Sequence, residues 1–278
     1  MIFYKPNNLN QLFEISEKFE GRKYFLAGGS DINVQIKKGL IKDEPLIFIN
    51  HLKELKGIQH FDDQIIIGAL NTFQEILNSD LIKQKFPFFQ RSLKNFASPL
   101  LQSIATIGGN IANGSPTADV VPLLLVLDAK LKLFSKSKIR VIPINEFYRG
   151  YKQFNLNKNE IIGAVSIPEN AESGYETFYR KIGSRKSLYI AKIALAGLKK
   201  ISNEKIIKVK FAAGSLNEYP RRLKKLESYL INKNHSKIEK TEIKEVLLKE
   251  ITPISDLRSD KDYRFEVCLN LINIFLNT

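Results

Sequence analysis

Two pairs of adjacent glycines, Gly28-Gly29 and Gly108-Gly109, constrain this chain more than any other feature of its sequence. Glycine tolerates positive φ and lets another backbone or a ligand come close. The first pair lies in Leu26-Ala27-Gly28-Gly29-Ser30-Asp31, between a strand pattern at Lys23 to Ala27 and a short helix expected from about Ile32. Ser30 or Asp31 is placed to cap that helix. Successive amides in such a turn form a nest for an anion, and a helix N-terminus behind them adds partial positive charge. A tight turn with no ligand is the plain alternative. The second pair lies in Thr106-Ile107-Gly108-Gly109-Asn110-Ile111-Ala112-Asn113-Gly114-Ser115-Pro116. Thr106 to Ile111 reads as a β segment broken by glycines, running on through small polar residues with its donors exposed. A pyrophosphate needs donors on more than one side, so two such loops suit a dinucleotide better than either alone. Neither is the G-x-G-x-x-G of a Rossmann fold, and neither is a P-loop.

Around these loops the chain alternates helix and strand signals. Helical spacing at Leu9 to Phe19 precedes the first loop; strands are expected at Leu46 to Ile49 and, after an Asp62-Asp63 turn, at Gln64 to Ile67. Thr72 and Glu75 form a capping box, and Pro87 to Ala97 reads as a helix. Asp119 precedes Pro122 and a buried helix through Leu127, which makes Asp119 a candidate N-cap. A hairpin is expected from Leu131 to Phe134 and Ile139 to Ile142. Composition turns polar around Pro168 to Gly174, where a domain boundary is placed. Beyond it, Thr177 to Lys181, Tyr189 to Leu198 and Ile206 to Ala213 read as strands, and Pro220 to Leu230 and Glu239 to Leu248 as helices. Strands with helices to one side predict an α+β domain.

Composition removes several function classes. The one cysteine, Cys268, allows no internal disulfide and no iron–sulfur cluster or four-cysteine zinc site from this chain alone. The three histidines, His51, His60 and His235, show no ligand spacing, and no metal site or nucleophilic triad is expected. No apolar run approaches the ~20 residues of a membrane span, and the N-terminus lacks the apolar core of a secretory signal, so a cytoplasmic protein is expected. The formal charge of +14 admits nucleic acid, an acidic partner or an anionic cofactor. Its lysines are interspersed with glutamates, notably from Lys199 to Glu250, which is the pattern of a solvated face.

Ala27-Gly28-Gly29-Ser30-Asp31, with Thr106 to Asn113 and Ser115-Pro116-x-x-Asp119, resembles the FAD-binding subunit of molybdenum hydroxylases, the group of the xanthine dehydrogenase FAD subunit and the carbon monoxide dehydrogenase medium subunit. Ile67-Gly68-Ala69 with Thr72 resembles the family's I-G-A-x-x-T strand end. Arg180-Lys181-Ile182-Gly183-Ser184-Arg185 resembles its R-K-x-G-x-R segment, and Pro253 to Arg258 with Tyr263-Arg264 its P-x-x-D-x-R…Y-R tail. The resemblance covers essentially the whole chain, in order. It implies an α+β fold: a two-part FAD-binding domain of the vanillyl-alcohol-oxidase type over residues 1–170, with subdomains of about 1–55 and 56–170. A C-terminal domain over 171–278 follows, with an antiparallel sheet and helices.

The resemblance also implies roles. The amides of Leu26, Ala27, Gly28, Gly29, Ser30, Asp31, Ile32 and Asn33 would wrap the FAD pyrophosphate. Thr106, Ile107, Gly108, Gly109 and Asn110 would complete the cradle. Asp119 would accept hydrogen bonds from the cofactor, Ile162 would touch its surroundings, Phe96 would lie against the isoalloxazine ring, and Lys181 would reach the ring as a cation that favours a reduced, anionic flavin. The plain alternatives stay open: Asp119 as a helix cap, Lys181 as a solvated base, Phe96 and Ile162 as core, Cys268 as a buried small residue. Gln102 and Ser103 stand where many relatives carry Arg-Asn, which puts one polar contact in doubt; Ser30 keeps the hydroxyl of the more usual threonine. The cysteine-bearing insert of the benzoyl-CoA reductase branch is lacking. No residue is assigned a catalytic role. The implied function is electron transfer, with a molybdenum-cofactor large subunit and a 2Fe–2S small subunit on separate chains and NAD+ or another acceptor. A stand-alone FAD oxidoreductase, such as a sugar-nucleotide reductase, is the alternative; a nucleic-acid module is motivated by charge alone.

Overall fold

The computed structural model describes residues 2–185 and 189–278. The chain forms two compact units that interleave in sequence. The first comprises Met1–Asn113, Lys130–Phe147 and Phe154–Glu169, and the second Gly114–Ala129, Tyr148–Gln153 and Asn170–Thr278.

The first unit holds two sheets. β1 (Phe3–Tyr4), β2 (Tyr24–Leu26) and β3 (Leu46–Phe48) make a parallel sheet in the order β1-β3-β2. α1 (Leu9–Glu17) makes the crossover from β1 to β2. Asn8 caps it by accepting from Gln11 N at 2.9 Å, and Leu12 and Phe13 are its buried apolar face. These two residues join Ile47, Ile49, Leu52, Leu55, Leu70 and Ile161 in one core. α2 (Ile32–Lys37) follows β2 and buries no residue. The second sheet is antiparallel: β4 (Ile58–Phe61), β5 (Gln64–Gly68), β6 (Lys130–Phe134), β7 (Ile139–Pro143) and β8 (Ile161–Pro168), in the order β4-β5-β8-β6-β7. Asp62 and Asp63 turn β4 into β5 with φ of 50° and 55°, as a tight hairpin demands. Central β8 is buried from Ile161 to Ile167, so it reads as a continuous apolar run rather than an alternating one.

Helices α3 (Phe73–Asn78), α4 (Asp80–Lys85), α5 (Pro87–Leu93), α6 (Pro99–Gln102) and α7 (Ile107–Asn113) complete this unit. The Thr72–Glu75 capping box opens α3. The helix expected over Pro87 to Ala97 ends at Leu93, and Ala97 turns with φ 53°. The β segment expected at Thr106 to Ile111 is α7 instead: Thr106 makes one β-bridge, to Thr72, and the chain then coils.

The second unit is built on an antiparallel sheet, β9 (Glu176–Ile182), β10 (Ile193–Ser202), β11 (Lys205–Gly214) and β12 (Arg221–Arg222), in that order. The strand expected from Tyr189 starts at Ile193. The helix expected from Pro220 starts later, as α9 (Lys224–Leu230), because Arg221 and Arg222 pair with Ala213 and Ala212. α10 (Lys240–Leu248) and α11 (Lys261–Asn277) follow, and α8 (Val121–Val126), buried at all six residues, packs on β10 and β11. Fully buried Cys268 belongs to the apolar core of this unit. Buried Lys199 donates to the carbonyls of Phe275 (2.8 Å) and Leu276 (3.3 Å), closing the C-terminal end of α11. Among the described residues no helix is long and apolar enough to cross a membrane.

Candidate cofactor site

The first glycine loop leaves β2 at Leu26 and enters α2 at Ile32. Its two glycines do different work. Gly29 has φ +72°, the left-handed conformation that favours glycine. Gly28 has no such need; a Cβ there would lie 1.7 Å from the carbonyl oxygen of Ile104. Glycine at position 28 therefore lets the first loop touch the chain just before the second. Among the described residues no acceptor is paired with the amides of Gly28, Gly29, Ser30, Asp31 or Ile32; the amide of Asn33 is used again, donating to Gly29 O at 3.1 Å. Five successive donors are thus left for a ligand. α2 has only six residues, and Asp31 stands at its N-cap without a side-chain cap bond. Its carboxylate instead accepts from the Gln35 side chain. The amides, rather than a long helix dipole, are what this loop offers an anion.

The second loop is organised in the opposite way. Ile107 N donates to Asn71 O (3.1 Å), Gly108 N to Ala69 O (2.9 Å), Gly109 N to the Thr106 hydroxyl (3.1 Å) and Asn110 N to Thr106 O (2.9 Å). The extended run of free donors expected here is a helical turn whose donors are spent inside the chain. Gly108 is needed because a Cβ would meet Ala69 Cβ at 2.6 Å and Ala69 O at 2.8 Å. What this turn offers a ligand is side chains. Thr106 Oγ1 accepts from Gly109, which leaves its proton free to donate. Asn110 Oδ1 is buried and unpartnered, an acceptor waiting for a donor.

Sequence reasoning passed over the residues that anchor the second loop. Asn71 is central: its carbonyl anchors Ile107, its Oδ1 accepts from Gly57 N at 2.9 Å, and its Nδ2 reaches Glu75 at 3.3 Å. An asparagine just after an apolar strand pattern, directly before the Thr72 capping box, was the available signal. Phe96 packs its ring on Phe73, centroids 4.2 Å apart at 49°, and its carbonyl accepts from Gln102 Nε2 at 2.6 Å. Gln102 therefore serves this chain's own backbone. Ile162 is buried in β8 opposite Leu133, beside a bulge at Gly163 whose carbonyl accepts from Ala69 N (2.9 Å).

Asp119 and Lys181 both lie in the second unit, and the structure brings them together. Lys181 Nζ sits 2.6 Å from Asp119 Oδ2, with both side chains nearly buried. Val120, not Asp119, stands at the N-cap of α8, so the capping role expected for Asp119 gives way to this ion pair. Burial pushes the Asp119 carboxyl above the usual range, and Lys181 draws it back by charge and hydrogen bonding. Two tyrosines frame the pair. Tyr179 OH donates to the Asp119 carbonyl at 3.1 Å. The ring of Tyr189 lies 4.5 Å from Lys181 Nζ, with its OH donating to Lys181 O at 3.0 Å. Burial raises both phenols, which keeps them as proton-bearing donors. Asp119 Oδ1 is buried without a partner, a second acceptor awaiting a donor. Two of the three histidines are engaged elsewhere: His51 Nε2 meets Pro6 O at 2.6 Å and His60 meets Glu169 at 2.9 Å.

FAD fits these residues. Five free amides match an anionic pyrophosphate, and the close approach at Gly28 keeps the cradle narrow. In the same unit, Asn110 Oδ1 is an unfilled acceptor of the kind that ribose hydroxyls and ring N–H groups satisfy; within the second unit, Asp119 Oδ1 is another.

Known proteins match along the whole chain. A family model described as the FAD binding domain in molybdopterin dehydrogenase matches residues 1–170, and one described as the CO dehydrogenase flavoprotein C-terminal domain matches residues 178–278. The chain is 30% identical over 243 residues to the glyceraldehyde dehydrogenase medium chain of Sulfolobus acidocaldarius, covering 87% of this chain and 85% of that one. It is 28% identical over 243 residues to the xanthine dehydrogenase FAD-binding subunit of Escherichia coli O157:H7, covering 87% and 83%. Among solved structures, carbon monoxide dehydrogenase from Hydrogenophaga pseudoflava shares the fold with a TM-score of 0.92, at 24% identity, over 100% of this chain and 96% of that one.

Proposed function

Because this chain belongs to the family of FAD-binding subunits of molybdopterin dehydrogenases, we propose that it is the flavin station of a multi-subunit molybdenum hydroxylase, receiving electrons from 2Fe–2S clusters on a small partner chain and delivering them to NAD+ or another acceptor. It is an oxidoreductase subunit, and its cofactor is FAD. When bound, FAD supplies the chemistry, since it can exchange electrons singly on one side and in pairs on the other.

The chain's own residues bind and orient. The run of free amides from Gly28 to Ile32 is the observation that carries the reading, and it takes the pyrophosphate; Leu26, Ala27 and Asn33 bound the loop. Thr106 and Asn110 contribute side chains, while Ile107, Gly108 and Gly109 set the wall against Ala69. Phe96 and Ile162 supply apolar surface. The family resemblance adds Asp119 and Lys181, which the second unit holds as an ion pair with Asp119 Oδ1 left unpartnered. The relatives' names speak of medium chains and FAD-binding subunits, which supports larger and smaller partners carrying molybdenum and clusters. One cysteine in the whole sequence points the same way.

The test is anaerobic reduction of the FAD-loaded chain, alone and with its large and small partner chains. Reduction by the oxidisable substrate only when both partners are present is the expected result. Rapid reduction of the isolated chain by a nicotinamide donor and turnover of a second small molecule would establish the stand-alone oxidoreductase instead.

A further inference from the structure

One carboxylate stands among the free donors of the first loop. The amide of Asp31 is one of the five from Gly28 to Ile32, so its side chain lies beside the groups that await an anion. Aspartate is among the best helix N-caps, and Asp31 holds that position of α2, yet it makes no side-chain cap bond. The donors a cap would use are already taken: Asn33 N donates to Gly29 O (3.1 Å) and Val34 N to Asp31 O (2.9 Å). Among the described residues no lysine, arginine or histidine pairs with Asp31, so its charge is not neutralised. The carboxylate is instead held by the side-chain amide of Gln35, one turn along the same face of α2. Gln35 is itself fixed: its N–H donates to Asp31 O (3.1 Å) and its carbonyl accepts from Leu40 N (3.0 Å). A side-chain pair of this spacing adds little to the stability of a helix. A loose carboxylate beside a pyrophosphate, in contrast, sets like charge against like charge at close range.

Resting on the reading of amides 28–32 as the pyrophosphate cradle, we infer that Gln35 is a positioning residue for the cofactor, holding the Asp31 carboxylate along α2 so that a loop with a negative charge of its own can take an anion. Gln35 acts through Asp31 and need not touch FAD. It lies four residues on in the chain, so its bond draws the carboxylate toward the helix body and off the loop. A neutral amide suits this task. It donates to the carboxylate and carries no charge that would compete with the five backbone amides for the phosphate.

The test is fluorescence titration of the full-length apoprotein with FAD, beside melting curves of each apoprotein. Gln35→Leu releases the carboxylate. Its apoprotein should melt within about 2 °C of wild type, because the pair contributes little to the helix. Its Kd for FAD should rise at least ~10-fold, the effect of one weakened charge-assisted contact. Gln35→Glu sets a second negative charge against Asp31 and should weaken binding at least as much. Adding Asp31→Ala to Gln35→Leu removes the carboxylate and keeps the backbone amide. That double variant should return to within about threefold of the wild-type Kd. A purely structural role for Gln35 would give no such rescue, since the helix would have lost both partners. A double variant that binds no better than Gln35→Leu overturns the inference. An affinity unmoved by Gln35→Leu but lowered by Gly28→Ala overturns the role of Gln35 and leaves the cradle intact. An affinity unmoved by either substitution overturns the cradle as well.

Discussion

Replacing Gly28 by alanine puts the two-loop geometry at risk at one atom. The new Cβ would stand 1.7 Å from Ile104 O and 2.6 Å from Ile104 C, against roughly 3.3 Å for an ordinary carbon–oxygen contact. Both partners are backbone, so no side chain can swing away. One loop must shift by roughly 1.6 Å, far more than the few tenths that a packed contact absorbs. Overpacking of this kind costs about 1–3 kcal/mol, and backbone against backbone belongs at the upper end. At about 2–4 °C per kcal/mol for a chain of this size, melting should fall by roughly 6–12 °C. FAD binding should suffer more. The displaced amides each make a charge-assisted hydrogen bond worth about 1.5–3 kcal/mol, and two lost bonds correspond to roughly 10²–10⁴-fold in Kd. Gly29→Ala is the control. There φ is +72°, which costs alanine about 1–2 kcal/mol, while its Cβ meets the movable Asn33 side chain at 3.0 Å. Its Kd should rise by no more than about tenfold. Fluorescence titration of apoprotein with FAD, together with melting curves, reads both variants. If Gly29→Ala proves the more damaging, or Gly28→Ala binds FAD normally, the close approach at Ile104 is not what shapes the site.

Two further predictions concern pH. Lys181→Met leaves the Asp119 carboxylate buried without its cation, so the apoprotein should lose about 3–5 kcal/mol at pH 7. Because burial already raises the Asp119 carboxyl, protonation favours the folded state: the loss should shrink as pH falls through the folded value, and Asp119→Asn should rescue the variant in neutral urea melts. Glu160 has the opposite sign. Hydrogen bonds from Arg140, and then from Asn157, hold its carboxyl down to about 2, so its stabilisation is complete above the usual carboxylate range and is lost as pH falls toward 2. Arg140→Met should remove most of that acid-limb slope and lower stability at pH 7 by about 2–3 kcal/mol; an unchanged acid unfolding curve would refute it.

Both loops could be read from composition because glycine pairs between apolar strand and helix patterns are rare and local. Their internal difference could not. Gly28 and Gly108 are glycines because of Ile104 and Ala69, contacts that sequence spacing does not carry. The same limit explains α7. Thr106 to Ile111 holds β-branched residues, a strand preference, yet Thr106 supplies a hydroxyl and a carbonyl that start a helix. The Thr72 capping box, the Asp62-Asp63 hairpin and the β6–β7 hairpin were legible because their determinants lie within a few residues. Asp119 read as a cap because a carboxylate before a proline-led helix is the common pattern; a lysine far along the chain captured it instead. Tyr179 and Tyr189, which frame that pair, carried no local signal at all.

The interleaving of the two units sets a schedule for synthesis. Val121–Val126 emerges from the ribosome as six apolar residues, and the strands it packs against are not complete until Gly214. At ~5–20 residues per second, that helix waits on the order of ten seconds without a partner. Nor can the first unit close its sheet before Ile161–Pro168 arrives as the central strand. The nascent chain thus carries unfinished apolar surface until Gly214 has been made, the kind of exposure that leaves a growing chain open to aggregation.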